Sequence, residues 1–288
     1  ISKNIKLAKF LLASLFICYI FLIVDSFVQF FYGFNLFGIE NYRDDRMSSL
    51  FRDELKLGSY LSRLLPLFLG LFIYINLINK KNIIYLFFLL ILIFISIIFS
   101  GERSSLFYFI ITFSIFLIIL KGFFKEKLFF ISGLVLSGFI LFINSPQVYN
   151  RIILKTINGF FDSERSFMII SSSIESFVRA SISMFVDHPL FGIGPKLYRK
   201  YCKYENYEHF DACSSHPHNT YLQLLSETGL IGAIPVIFSF FFVSFLLIKY
   251  IIKNLRKNIN EIQYNSIMFL VCIFISLWPL GTTGSFFN

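Results

Sequence analysis

The chain has 288 residues, of which 56% are hydrophobic, 20% aromatic and 15% charged, with 41 Phe and a net charge of +9. A soluble domain of this length cannot hide that much apolar surface, so the composition excludes an ordinary water-soluble globule and points to an all-α, polytopic integral membrane protein. The basic excess is not a nucleic-acid signal either, because of where it falls.

A spanning helix needs about 20 mostly apolar residues, and seven segments meet that need: roughly 8–31, 58–78, 83–100, 104–120, 128–145, 221–250 and 265–280. The first run is long and followed by many others, so no cleavable signal peptide is expected. The chain opens on Ile1 and stops at "GSFFN" after an apolar run, and it reads as a fragment with further helices expected at both ends. The N-terminal tail carries +3, loop 79–82 +2, loop 121–127 +2 and loop 249–264 +3; the alternate loops carry −1 (33–57), zero (101–103) and +1 (146–218). This asymmetry is the positive-inside pattern, and it puts the N-terminus and the small basic loops in the cytoplasm. The expected organisation is therefore helices 1–5 with periplasmic loop 33–57 in residues 1–145, a large periplasmic loop over 146–218, and helices 6–7 in 219–288.

Loop 33–57 mixes both charge signs with aromatics and is expected to fold against the membrane surface. In the longer loop, Phe167, Ile170, Ile174, Phe177, Ile182 and Phe185 recur at helical spacing, as in an amphipathic interfacial helix. That helix is expected to stop at Asp187-His188-Pro189, before the Gly/Pro turn "FGIGPKLY". Cys18 and Cys272 lie in apolar runs and read as packing residues. Cys202 and Cys213 share the long loop, either as a disulfide in an oxidising compartment or as two free thiols.

Polar chemistry concentrates in "SSHPHNTYLQLLSETGLIG", residues 214–232. On the residues alone three readings stand. The segment is a polar cap, with Asn219 or Thr220 starting the next helix. Or Cys202, His209, Cys213, His216 and His218 hold zinc, although their spacing matches no closed zinc pattern. Or an imidazole, titrating near neutrality, serves as a general base, with Asn219 or Glu227 orienting it.

From His218 the chain reads His-Asn, nine residues, Gly229, two residues, Gly232. This resembles the hallmark of the O-antigen ligase and O-antigen polymerase family of membrane glycosyltransferases. "DHPLFGIGP" at 187–195, "SGERSS" at 100–105 and "DSFVQFFYGFNLFG" with "RMSSLFRDELKLGSYL" resemble other segments of that family. The resemblance implies an undecaprenyl-diphosphate-linked glycan as donor and a sugar hydroxyl as acceptor, on lipid A-core for a ligase or on a lipid-linked repeat unit for a polymerase. It implies no metal, nucleotide or other cofactor, and a multi-pass inner-membrane protein working at the periplasmic face. The matching histidine, His218, is essential in the family and is expected to be the base, with His216 shaping the pocket or sharing the role. Arg103, in the place of the family's "SxR" turn, is expected to bind the donor diphosphate. A second family arginine precedes the Gly turn, and both Arg165 and Arg179 qualify. Arg46 is a further candidate, or else a partner of Asp44 or Glu54; Arg63 and Asp25 read equally as functional or as interfacial residues.

The "HPHNTYLQLLSETG" form favours a ligase over a polymerase by resemblance; an enzyme glycosylating secreted protein is a related option. A flippase is the alternative from another class. Transporters place polar, broken helices at mid-membrane depth, whereas here the polar residues gather in the loops.

Overall fold

The computed structural model describes residues 2–43, 45–154, 156–158, 172–207, 212–256 and 261–287. The fold is all-α: α1 (Ser2–Tyr32), α2 (Leu57–Tyr74), α3 (Lys80–Ser100), α4 (Arg103–Ile119), α5 (Phe124–Asn144), α6 (Ser172–Asp187), α7 (Thr220–Arg256) and α8 (Glu261–Ser276), with single helical turns between them. Among the described residues the only β pairings are two isolated bridges, Phe34 with Glu40 and Arg43 with Arg46.

Each of the seven expected apolar segments is a helix. Among the described residues five helices are long and apolar enough to cross a bilayer: α1, α2, α3, α5 and α7. The protein is a multi-pass membrane protein on this composition. The other two apolar helices are shorter. The 17 residues of α4 rise about 25 Å against a hydrocarbon core of roughly 30 Å. The expected run 265–280 is helical only to Ser276, because Pro279 bars the residue before it from helical geometry.

The chain forms two compact units. The first comprises Ile1–Thr156 and Leu246–Ser276. Its centre is α2, whose residues Leu57, Leu61, Leu65 and Leu69 are fully buried at intervals of four, the stripe a helix needs to pack on several neighbours at once. These neighbours are α1, α3, α4 and α8.

One end of this bundle is organised by polar side chains from α1. Asp25 is fully buried; it accepts a hydrogen bond from Leu36 N at 2.8 Å and another from Ser49 Oγ. One turn on, Gln29 Oε1 accepts from Ser48 N and Ser49 N at 3.1 and 2.7 Å. The two side chains thus anchor loop 33–57, so Asp25 acts inside the fold and not as an interfacial charge. Glu102 does the same for two helix starts. It accepts from Gly58 N, Ser59 N and Ser59 Oγ at the head of α2 and from Ser105 Oγ in α4, satisfying amides that a helix N-terminus leaves open. At the opposite end Asn79 caps α3 through Asn82 N at 2.9 Å, and Lys80 pairs with Glu126 at 3.5 Å.

The second unit comprises Ile157–Phe245 and Leu277–Asn288. It holds α6, the first part of α7, and the chain between and after them. As expected from the spacing, α6 ends at Asp187. It buries Val178, Ala180, Ser181 and Met184 and exposes Ile182, so its inward stripe is offset from the one read in the sequence. Phe167 and Ile170 lie outside the described residues.

Replacing Asp25 by Ala leaves Leu36 N and Ser49 Oγ without their acceptor. Thermal unfolding of the purified protein in detergent is expected to show a loss of about 1–3 kcal/mol; an unchanged transition would refute the anchoring role.

Candidate functional site

The second unit is built around a splice in α7. Gly229 has φ 62° and ψ −157°, a region open in practice only to glycine. There the helical ladder stops: Leu230 N and Ile231 N, which would bond the carbonyls of Ser226 and Glu227, instead bond Pro189 O and Leu190 O at 2.9 and 3.3 Å. The orphaned carbonyls are taken by the same turn, Ser226 O by Ile193 N and Glu227 O by Gly194 N, both at 2.9 Å. Residues 189–194 are therefore inserted into the helix, four bonds replacing those the break removes. The approach demands glycine on both sides. A Cβ on Gly229 would sit 2.5 Å from the Leu190 carbonyl carbon, and one on Gly192 would collide with the backbone of Glu227 and Thr228. Glu227 is fully buried beneath this joint; its carboxylate accepts from Tyr198 N and from Gln223 Nε2, each at 3.0 Å.

The same helix presents the histidines at its start. Asn219 is the cap: its Oδ1 accepts from Tyr221 N and Leu222 N at 2.9 and 3.1 Å. Its Nδ2 reaches Pro279 O at 2.7 Å. The segment after α8 clasps the motif further. Thr283 N donates to His218 O at 2.9 Å, Thr220 and Thr283 hydroxyls meet at 3.0 Å, and Phe286 N donates to Gln223 Oε1 at 2.8 Å.

His216 is buried and doubly held. Its Nε2 lies 3.2 Å from Thr283 O, and its Nδ1 2.8 Å from Ser215 Oγ. A carbonyl only accepts, so Nε2 carries a proton. His218 is exposed. Its backbone is in the left-handed region at φ 54°, which His tolerates better than most residues. Among the described residues its ring has one hydrogen-bond partner, Ser214 Oγ at 3.1 Å from Nε2. The two imidazoles stand 4.3 Å apart, and Phe177 of α6 meets the His218 ring edge-on at 5.3 Å. Partial withdrawal from water, and next the charge of His216, lower the His218 pKa from its ordinary value. The ring is therefore neutral near pH 7 and able to accept a proton.

Behind this face, Cys202 and Cys213 are joined in a disulfide. The bond settles the alternative left open by the sequence, and it withdraws both sulfurs from the zinc set; His209 lies outside the described residues. Around it pack Ala180, Met184, Ile193, Tyr198, Tyr207 and Ala212. Tyr207 donates to Asp187 at 2.7 Å, and that bond, more than burial, pushes its phenol up to about 12.

The first unit holds a separate arginine cluster over the turn between α3 and α4. Arg46 donates to Ser100 O and Leu55 O at 3.1 and 3.2 Å and lies 3.9 Å from Glu102. Of the two partners expected of it, Glu54 is held by Lys56 instead, and Asp44 lies outside the described residues. Arg151 pairs with Asp45 at 3.5 Å and donates to Gly101 O at 3.4 Å. Arg43 holds the same Asp45 at 3.2 Å. Burial first, and then neighbouring cations, lower the pKa of both Arg46 and Arg151. Arg103, exposed in the first turn of α4, is one of the charges acting on Arg151. Among the described residues Arg43, Arg46 and Arg151 thus share Asp45 and Glu102, a grouping of guanidiniums of the kind that binds anions.

The remaining candidates fall elsewhere. Arg179 pairs with Glu175 one turn back, at 2.6 Å, and is exposed. Two residues along a helix is about 200° of rotation, so it lies on the side of α6 away from Phe177. Arg165 lies outside the described residues. Arg63 lies over the Tyr108 ring at 5.2 Å. Sequence reading missed Arg151 and the 277–286 clasp; the signals available were a lone Arg soon after an apolar run and a "WPLGTTG" stretch too rich in Pro, Gly and Thr to continue a span.

Fold and site together define a multi-pass membrane protein with a histidine pair held at the head of a broken apolar helix. A family model described as O-antigen ligase matches residues 87–237, which cover the arginine turn, the spliced turn and the histidine motif; the chain belongs to the O-antigen ligase family. Neither a curated protein nor a solved structure matches the chain.

Gly229→Ala is expected to insert normally but to unseat the 189–194 turn, at a cost of about 1–3 kcal/mol for the backbone conformation alone. Trypsin should then cut at Lys196 and Arg199 faster than in the parent protein; equal resistance would contradict the splice.

Proposed function

We propose that the chain is a ligase-type glycosyltransferase that moves a glycan from undecaprenyl diphosphate to a sugar hydroxyl of lipid A-core at the periplasmic face of the bacterial inner membrane. The observation that carries this reading is His218. In a chain of this family it is an exposed imidazole kept neutral, seated on a backbone fixed by Pro217 and the Thr283 bond. Its task is to take the proton of the acceptor hydroxyl as that oxygen attacks the anomeric carbon. The bond to the diphosphate breaks as the glycosidic bond forms, and the configuration inverts.

The roles of the other candidates follow from their surroundings. His216, its two nitrogens already engaged, positions the loop and tunes its neighbour. Asn219 and Glu227 hold the helix head and the splice. The leaving diphosphate gathers charge, and preorganised cations stabilise such charge. Arg103, exposed at the head of α4, is the residue assigned to that contact, while Arg46 and Arg151 pin the turn and supply field.

All seven apolar helices cross the membrane in this proposal, the shorter α4 and α8 included. Sidedness follows the loop charges: the lysine-rich ends lie in the cytoplasm and the arginine cluster and histidines outside. On α6 the exposed stripe Ile182 and Val186, continued by Leu190 and Phe191, fits a helix resting in the interface.

Expression in a strain lacking its ligase is expected to restore long glycan on lipid A. Restoration of chain length in a polymerase-deficient strain instead would reassign the acceptor, and movement of labelled lipid-linked glycan across vesicles without transfer would support a flippase. His218→Asn keeps a residue at home in the left-handed region, so it separates chemistry from backbone. Transfer by this variant should fall at least about 100-fold with the melting temperature unchanged; near-normal turnover would end the base assignment.

The pH dependence gives a second check. The base must be unprotonated and its pKa is lowered, so kcat/KM should be flat at pH 7 and fall only as the pH drops below about 6.5, the ordinary value for His. His216→Gln can retain the bond to Thr283 O while removing a charge that depresses its neighbour. The acid limb should therefore move upward, and a limb that stays fixed or moves down contradicts the coupling.

A further inference from the structure

A slot of about 490 Å³ opens between α1, α2 and α3 at the lysine-rich end of the first unit. Each helix lines it with a single stripe. From α1 come Lys9, Ala13 and Phe16; from α2, Phe72 and Phe68; from α3, Asn82, Tyr85 and Leu89. The stripes run in register. The slot's polar members are Lys9, two turns into α1, and Asn82, in the first turn of α3, and Phe16 and Leu89 lie seven residues further along each helix, about 10 Å.

The rim is cationic and the wall is not. Lys9 is exposed at the mouth, Lys6 lies one turn before it, and Lys81 is exposed beside Asn82. Among the described residues Lys9 is the one lining side chain with a formal charge, and no carboxylate lines the slot. Its volume is that of an ordinary small-molecule site. An open, mainly apolar slot with cationic side chains at one end complements a molecule with an acyl chain and an anionic head. Basic pockets between spanning helices recognise acidic lipid heads in this way.

We propose that this slot is a binding site for one acidic phospholipid of the surrounding bilayer, its acyl chain along Ala13 and Phe72 and its phosphate on Lys9. The site is separate from the arginine cluster, which lies at the other end of the 21-residue α3. It does not depend on the glycosyltransferase reading.

The test uses the purified full chain, delipidated in detergent and titrated with dioleoyl phosphatidylglycerol or dioleoyl phosphatidylcholine under native mass spectrometry. One phosphatidylglycerol should be retained in preference to phosphatidylcholine. Lys9→Gln, at an exposed position, should weaken it about fivefold, the factor expected from roughly 1 kcal/mol per cation near an anionic surface. Ala13→Trp, also at an exposed position, should remove it by filling the slot. Thermal unfolding of both variants checks that the fold is intact. Equal retention of the two lipids, or phosphatidylglycerol binding untouched by either substitution, overturns the proposal.

Discussion

The constraint that governs the second unit is the need to pair every backbone amide around a break in an apolar helix. Within a membrane an open N–H or C=O costs several kcal/mol, so a broken helix survives only where something else completes its ladder. Here the completion comes from the turn at 189–194, which supplies two acceptors and two donors in place of those the break at Gly229 removes. The two most recognisable sequence segments, the Gly/Pro turn and the histidine-to-glycine motif, are therefore halves of one joint. Glu227 sits under it as a buried ligand of backbone and amide groups, which explains an acidic residue inside an otherwise apolar run.

The histidines inherit their order from that joint. The helix head is fixed at one end by the splice and at the other by Asn219 and the 277–286 segment, and the imidazoles are carried on the short stretch just before it. Of the two, one is consumed in structure and the other is left facing water. The base role proposed for His218 needs a neutral ring free to approach substrate, and with His216 held two positions away the exposed ring is left free for it.

The first unit solves a different problem, that of gathering like charges. Arg43, Arg46 and Arg151 gather at the turn at Gly101, with Arg103 close enough to act on Arg151, and among the described residues Asp45 and Glu102 are their partial counterweights. Several of their donors go to carbonyl oxygens, which orients the guanidiniums without cancelling their charge. Glu102 is chiefly engaged with the head of α2 and meets Arg46 only at 3.9 Å.

The helices were legible in the sequence because apolar length is a local property, and so was the end of α6, since Asp-His-Pro is a local stop. The cap at Asn219 was legible for the same reason. What local patterns could not reveal is which polar residues are spoken for by distant chain. Glu227 and Asn219 were read as groups that orient a base, but they hold Tyr198 and the carbonyl of Pro279. Arg46 was read against its sequence neighbours and is bonded 54 residues away, to Ser100. Arg179 drew attention by its place before the turn, yet a carboxylate one helical turn back claims it. The buried face of α6 was missed by a fraction of a turn because Ala180 and Ser181, not the larger Ile182, meet the core.

The splice also dictates an order of assembly. Residues 226–231 cannot satisfy their amides as a broken helix until residues 189–194 are in place, so a newly inserted α7 must first exist as an unbroken rod or remain partly unpaired. The wound form is self-sufficient in lipid; the native form is reached by trading internal bonds for bonds to a loop. The native form of this segment therefore cannot be completed by the segment itself: it waits on the arrival of residues 189–194 from earlier in the chain.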